Sequence, residues 1–270
     1  MGILSELAVL GLLAFVIIIS VRYLLIPGID NLARVMALDA KARGQLLGYA
    51  TSTPELVIIL ASAASGVFEA GFWNIASSNI INAVLFISAV LYWGQMRDLR
   101  KKPFRDELLF TVLSVMLPLL LFVFKVQGSV ILAVGLLVVF GFYKFLDRRW
   151  NPVSKSKLKT NLPPGKVWLG VLSLLSAMVL IIAAGWKLGS VAEDLVVRLG
   201  LAPWIIGWIL GFVSSTPEMS GFFEVYRKHK TRGSLKGLRD SQEALDSLVA
   251  SNMSNVCIIL PLGIFLLALL

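Results

Sequence analysis

Reactive side chains are scarce in this chain. Histidine occurs once, at His229, and cysteine once, at Cys257 in the middle of an apolar run. A single cysteine excludes a disulfide framework and a cysteine-based metal site, so Cys257 reads as packing. With no His-Glu-x-x-His motif, an intramembrane hydrolase lacks both a nucleophile with its base and a metal centre. Charge is sparse as well. Charged residues make up 15% of the chain against 57% apolar ones, and the mean hydropathy of +0.84 lies outside the range of soluble domains.

A lipid bilayer is the solvent these values imply. A hydrocarbon core of roughly 30 Å takes about 20 apolar residues per helix, and eight such runs are present: Ile3–Leu25, Ala42–Ala64, Phe68–Trp93, Leu108–Lys125, Val130–Leu146, Val167–Trp186, Pro203–Tyr226 and Leu245–Leu270. The first lacks the basic flank and small-residue cleavage site of a signal peptide and is read as a helix. Trp73, Trp93, Trp150, Trp168, Trp186 and Trp204 fall near run ends, as interfacial anchors do.

The net charge of +9 does not point to nucleic acid, because the basic residues gather in the connections between runs. Arg97, Arg100, Lys101, Lys102 and Arg105 follow the third run, Arg148 to Lys166 the fifth, and Arg227 to Arg239 the seventh. With eight helices all three clusters lie on one side. The positive-inside rule makes that side cytoplasmic, in a plasma or inner membrane, with both termini outside. The opposite connections hold only Lys125, Lys187 and Arg198. Residues 150–166 form a basic cytoplasmic linker between a first half, 1–149, and a second half, 167–270.

A repeat runs across the halves. Gly44 to Glu55 reads GQLLGYATSTPE and Gly207 to Glu218 reads GWILGFVSSTPE, with seven of twelve positions identical. Each leads into a second shared element, NIASSNIIN at Asn74–Asn82 and SLVASNMSN at Ser247–Asn255, whose common core is Ser-Asn-x-x-Asn. Five helices separate the start of the two copies, an odd number, so they enter the membrane from opposite sides, the inverted-repeat plan of secondary transporters.

The motif can be read physically. Gly44 with Gly48 and Gly207 with Gly211 sit one turn apart and admit another helix backbone, which is packing. Pro54 and Pro217 each remove a donor and free carbonyls near Ala50–Thr51 and Val213–Ser214. A carboxylate at mid-membrane costs at least ~2.5 kcal/mol, yet Glu55 and Glu218 place one in each copy. With the hydroxyls of Thr51, Ser52, Ser214 and Ser215 they form an all-oxygen set suited to a hard cation. Ser78 and Asn82 share a helix face that Asn74 extends, and Ser251 and Asn255 repeat it with Ser247. Asn79 and Asn252 point about 100° away from that stripe and are expected to tie down backbone. Glu243 and Asp246 either cap the last helix or gather cations at its mouth, and His229 reads as a solvated neighbour of the basic loop.

These elements resemble the cation/Ca²⁺ antiporters, the family of sodium/calcium and proton/calcium exchangers. GYATSTPE and GFVSSTPE look like its Gly-Thr-Ser-x-Pro-Glu helix, and ASSNIIN and ASNMSN like its Gly-Ser-Asn-x-x-Asn/Asp helix. The resemblance covers roughly residues 40–90 and 200–265. It implies an all-α membrane fold in two inverted repeats. It further implies a secondary antiporter exchanging Ca²⁺, or another divalent ion, for Na⁺ or H⁺ by alternating access. Glu55 and Glu218 would be central ligands with Thr51 and Ser214 on the metal, and Ser52, Ser215, Ser78, Asn82, Ser251 and Asn255 around it. No cofactor and no enzymatic activity are implied. Many members carry Asp where this chain has Asn255, so two carboxylates stand in place of three. Members also have ten or more helices, five per half, whereas only three runs make up the second half here, which is therefore shortened. A homodimer partner is one source of the remainder. A divalent channel or uniporter using the same carboxylates, and a non-transporting assembly protein, are the alternative readings.

Overall fold

The computed structural model describes residues 3–36, 38–150, 164–231 and 238–270, and among them every regular element is a helix. In chain order these are α1 (Ile3–Ser20), α2 (Ile26–Val35), α3 (Ala40–Thr51), α4 (Thr53–Ala64), α5 (Phe68–Tyr92), α6 (Met96–Leu99), α7 (Arg105–Val123), α8 (Val130–Trp150), α9 (Pro164–Leu199), α10 (Pro203–Ser214), α11 (Thr216–Thr231), α12 (Arg239–Ser254) and α13 (Leu260–Leu269). Seven stretches of the described residues are long and apolar enough to cross a membrane. They account for seven of the eight runs. The other, Pro203–Tyr226, is divided by a break at Ser215 into α10 and α11, and α11 ends in the charged turn Lys228, His229 and Lys230.

Several boundaries differ from the sequence expectation, each for a local reason. The first span continues past Leu25 to Val35. Pro27 lacks the N–H that would bond one turn back, and the chain meets this with a wider π turn at Val21–Leu25 instead of ending the helix. The same device recurs at Asn255–Ile259, just before Pro261. α9 runs on from Trp186 to Leu199, so Lys187 and Arg198 are helical rather than in a connection, and Arg198 reaches Glu6 at 2.9 Å. α12 begins at Arg239, not Leu245. The basic loop Arg227–Arg239 is accordingly helical at both ends, its residues 232–237 lying outside the described residues. Of the 150–166 linker, Trp150 ends α8 and α9 starts at Pro164, while residues 151–163 lie outside the described residues.

Two helix pairs form the centre. α3 packs along α12, and α5 packs along α10. The motif glycines set both contacts: a Cβ on Gly44 or Gly48 would land on the carbonyls of Glu243 or Ser247 in α12, and one on Gly207 or Gly211 would meet Trp73 or Ser77 in α5. α4 lies between α9, α5 and α13, and α7 covers α12 and α5. α1 and α2 pack chiefly on α9, with Gly28 facing Leu174 and the Gly170 carbonyl. Apolar side chains elsewhere face outward, among them Trp168, Trp186 and Trp204, as a surface solvated by lipid requires.

Candidate functional site

Both Pro-Glu motifs break their helix at the same place. α3 stops at Thr51, Ser52 takes a turn conformation, and α4 restarts at Thr53; α10 stops at Ser214, Ser215 turns, and α11 restarts at Thr216. Within Ala40–Ala64 the break has 12-residue helices on either side, which places it about 18 Å of helix from each end. Glu55 and Glu218 thus each occupy the first turn of a new helix, where unpaired N–H groups and the helix dipole favour negative charge.

The carbonyls released by the prolines at Ala50 and Val213 each accept a side-chain hydrogen bond. The Thr53 hydroxyl donates to the Ala50 carbonyl at 2.8 Å, and the Thr216 hydroxyl donates to that of Val213. The threonine before each proline thus supplies the donor that the proline removes.

All ten residues singled out in the sequence are buried. Ser251 bridges the two motifs, its hydroxyl donating to Glu218 Oε1 at 3.1 Å and lying 2.9 Å from that of Ser52. Asn255 Nδ2 donates to Ser78 Oγ at 3.4 Å, and Ser215 Oγ donates to the Ser78 carbonyl at 3.4 Å. Asn82 Nδ2 donates to Asn252 Oδ1 at 3.1 Å. Thr51 and Ser214 lie beside the carboxyl of the other copy, Thr51 near Glu218 and Ser214 near Glu55. Ser214 falls short of hydrogen-bond geometry with Glu55, and its hydroxyl bonds Asn74 Oδ1 at 3.1 Å instead.

Five oxygens in this group have no hydrogen-bond partner: Glu55 Oε1 and Oε2, Glu218 Oε2, Asn82 Oδ1 and Asn255 Oδ1. Buried polar atoms are almost always paired, and two neighbouring buried carboxylates also repel each other. A cation would satisfy both conditions. An ion such as Ca²⁺ takes about six to eight oxygens, the donor type that these carboxyl, amide and hydroxyl groups offer.

Asn79 and Asn252 do the structural work expected of them. Asn79 Nδ2 donates to the carbonyls of Asn252 (3.1 Å) and Ser114 (3.0 Å), and Asn252 Nδ2 donates to that of Asn79 (3.0 Å). Two residues went unmarked as site members. Asn74 orients Ser214, and Ser254 lies 3.4 Å from the Ser52 hydroxyl. Asn74 carried a signal, its place on the Ser78 stripe; Ser254 carried none, because its counterpart Ile81 is apolar. Two readings change. Glu243 and Asp246 lie in the second and third turns of α12, too deep to cap it, and Glu243 pairs with Arg43 at 3.2 Å. His229 is 12% exposed and lies 3.4 Å from Glu243, so it is not a solvated side chain.

Residues 6–146 and 169–269 match the model of the sodium/calcium exchanger protein family. The chain belongs to that family. Its members are antiport proteins of membranes, and the gap between the two matched blocks, residues 147–168, falls at the join of the halves. CaxA of Alkalimonas amylolytica, which carries an antiporter name, is 24% identical to this exchanger-family chain over 247 residues, covering 87% of this chain and 73% of CaxA. Solved structures of the sodium-calcium exchanger NCX_Mj share the fold. The form soaked with 100 mM Na⁺ and 10 mM Sr²⁺ superposes with a TM-score of 0.62 at 17% identity, and the form without Na⁺ and Ca²⁺ with 0.58 at 18%; each covers 98% of this chain and 83% of the other.

Proposed function

We propose that this chain is a secondary antiporter that carries Ca²⁺, or a similar divalent cation, against Na⁺ or H⁺ through a mid-membrane site centred on Glu55 and Glu218. The observation that carries the reading is the set of five unpartnered buried oxygens on the repeat residues Glu55, Glu218, Asn82 and Asn255. Membership of an exchanger family supports antiport as the mode.

The corresponding contacts of the two copies support alternating access. α3 pairs with α12 and α10 with α5, so the first element of each copy packs on the second element of the other. Relative motion of the peripheral α1, α2 and α9 against these pairs would open the site to one face at a time, as inverted-repeat transporters do. The basic face is assigned to the cytoplasm and the termini to the outside.

Uptake of Ca²⁺ into proteoliposomes, under an outward Na⁺ gradient, an outward H⁺ gradient or neither, tests the proposal against Glu55→Gln and Glu218→Gln. Uptake that depends on one gradient and is lost in both variants is expected. Flux without any counter-gradient would identify a channel or uniporter, and equal flux in variants and wild type would remove the two glutamates from the site.

A further inference from the structure

A second group of carboxylates lies outside the exchange site. Glu107 at the start of α7, Asp147 near the end of α8 and Asp246 on α12 are all buried, and each offers an oxygen within 4.8 Å of the others. That spacing is about twice the 2.3–2.6 Å length of a bond from oxygen to a hard cation. Asp246 supplies an independent pointer: the residue is 2% exposed, and its Oδ2 accepts no hydrogen bond.

The surroundings limit the charge of an occupant. Lys41 pairs with Asp147, Gln45 Nε2 donates to Asp147 Oδ2 at 2.9 Å, and Lys144 donates to Gln45 Oε1 at 2.8 Å while standing 3.7 Å from Asp147. Asp106 beside Glu107 and Arg148 beside Lys144 carry opposite charges that offset, so three carboxylates against two ammonium groups leave one net negative charge. In a weakly polar interior, where uncompensated charge is costly, one positive charge completes the balance.

We propose that Glu107, Asp147 and Asp246 form a second cation site, distinct from the exchange site, that holds one monovalent metal ion, with Asp246 as its principal ligand. Asp246 precedes Ser251 by five residues on α12, about 7.5 Å along the helix. Ser251 in turn bonds Glu218, so the same helix serves both sites. α3 does likewise, carrying Lys41 and Gln45 at one end and Thr51 at the other. An ion here would lie between the exchange site and the basic face, at the mouth of the α3–α12 pair.

The test is direct binding of ²²Na⁺ to detergent-purified protein by equilibrium dialysis, so transport itself is not required. The Glu55→Gln/Glu218→Gln double variant, which lacks the central charges, is expected to retain about one Na⁺ per chain. Adding Asp246→Asn should abolish that binding, and Asp246→Glu should restore it. Should the double variant not fold, as judged by gel filtration and thermal unfolding, the same loss of one Na⁺ per chain is read by comparing wild type with Asp246→Asn and Glu107→Gln. No difference between those forms would overturn the proposal, as would full displacement of the Na⁺ by equimolar ⁴⁵Ca²⁺. Higher thermal stability of Asp246→Asn with no Na⁺ lost would likewise overturn it and leave a structural cluster.

Discussion

Gly48→Ala is a stringent test of how packing sets the site. An added Cβ would land on the Ser247 carbonyl, lie 2.9 Å from the Ser251 amide nitrogen and 3.0 Å from the Ala250 Cβ, whereas ordinary contacts begin at 3.4 Å. Two of those three neighbours are backbone, which no side-chain rotation relieves, so α3 and α12 must separate by roughly 0.5–1 Å at a cost of about 1–3 kcal/mol, the usual range for overpacking. The shift falls on the site itself. Ser52 is one turn from Gly48, its hydroxyl bonds the Gly48 carbonyl at 3.0 Å, and the 2.9 Å contact between Ser52 and Ser251 spans this interface. Lengthening it by that amount would weaken it or break it and loosen Ser251 from Glu218. Transport should fall by about tenfold or more, in line with the sensitivity of assembled sites to displacements near 1 Å, and the melting temperature should drop. Gly141→Ala is the control, since a Cβ there meets nothing within 4 Å; it should leave both readouts unchanged or raise stability by up to about 1 kcal/mol. Wild-type melting and wild-type flux in Gly48→Ala would refute the claim that this contact positions the site.

Other expectations follow from particular contacts. Asn252→Ala leaves the Asn79 carbonyl and Asn82 Nδ2 without their partner, costing about 1–3 kcal/mol per orphaned group. A double cycle with Asn79→Ala, read by thermal unfolding, should show strong coupling. Lys41→Met strands buried Asp147, where breaking a buried pair costs about 3–5 kcal/mol; the low end is expected because Gln45 and Lys144 still reach Asp147. Lys41→Met with Asp147→Leu should recover most of that stability. Pro54→Ala restores an N–H to the helix break that the Thr53 hydroxyl now serves. Thermal stability should rise while Ca²⁺ flux falls, and a fall in both would show that the break needs the proline ring to form.

The residues of the proposed central site stood out in the sequence because their pattern is written twice and locally. A proline beside a glutamate in an apolar run, repeated with seven of twelve identities, has few physical explanations. The stripe at Ser78 and Asn82 and the separate direction of Asn79 follow from the helical period alone. Helix ends were harder to read. Pro27 with Gly28 looks like a terminator, but the chain absorbs the proline with a π turn and uses Gly28 for close approach to α9. The threonine hydroxyls that take up the Ala50 and Val213 carbonyls were hidden too, since the Ser-Thr-Pro-Glu sequence does not say which way the Thr53 and Thr216 side chains turn.

The Glu107, Asp147 and Asp246 group was not legible, for a different reason. Glu107 and Asp147 stand near helix ends, where acids are common, Asp246 stands in the third turn of α12, and nothing in the spacing says that three separate helices bring them together. Glu243 shows the contrast. It stands three residues before Asp246 on α12, yet it turns to Arg43 and His229 and is paired, whereas Asp246 turns to the other acids and keeps one oxygen unpaired. Three residues is just under one turn, so position along the helix does not separate the two; the neighbours supplied by α3, α7 and α8 do. Exchanging the partners is therefore informative. Arg43→Gln should destabilise the chain through Glu243, about 1–3 kcal/mol for an acid that loses a charged partner, and should leave Na⁺ binding at Asp246 unchanged. Loss of Na⁺ binding in Arg43→Gln would mean that the two acids act as one electrostatic unit, and that the monovalent charge count must include Arg43.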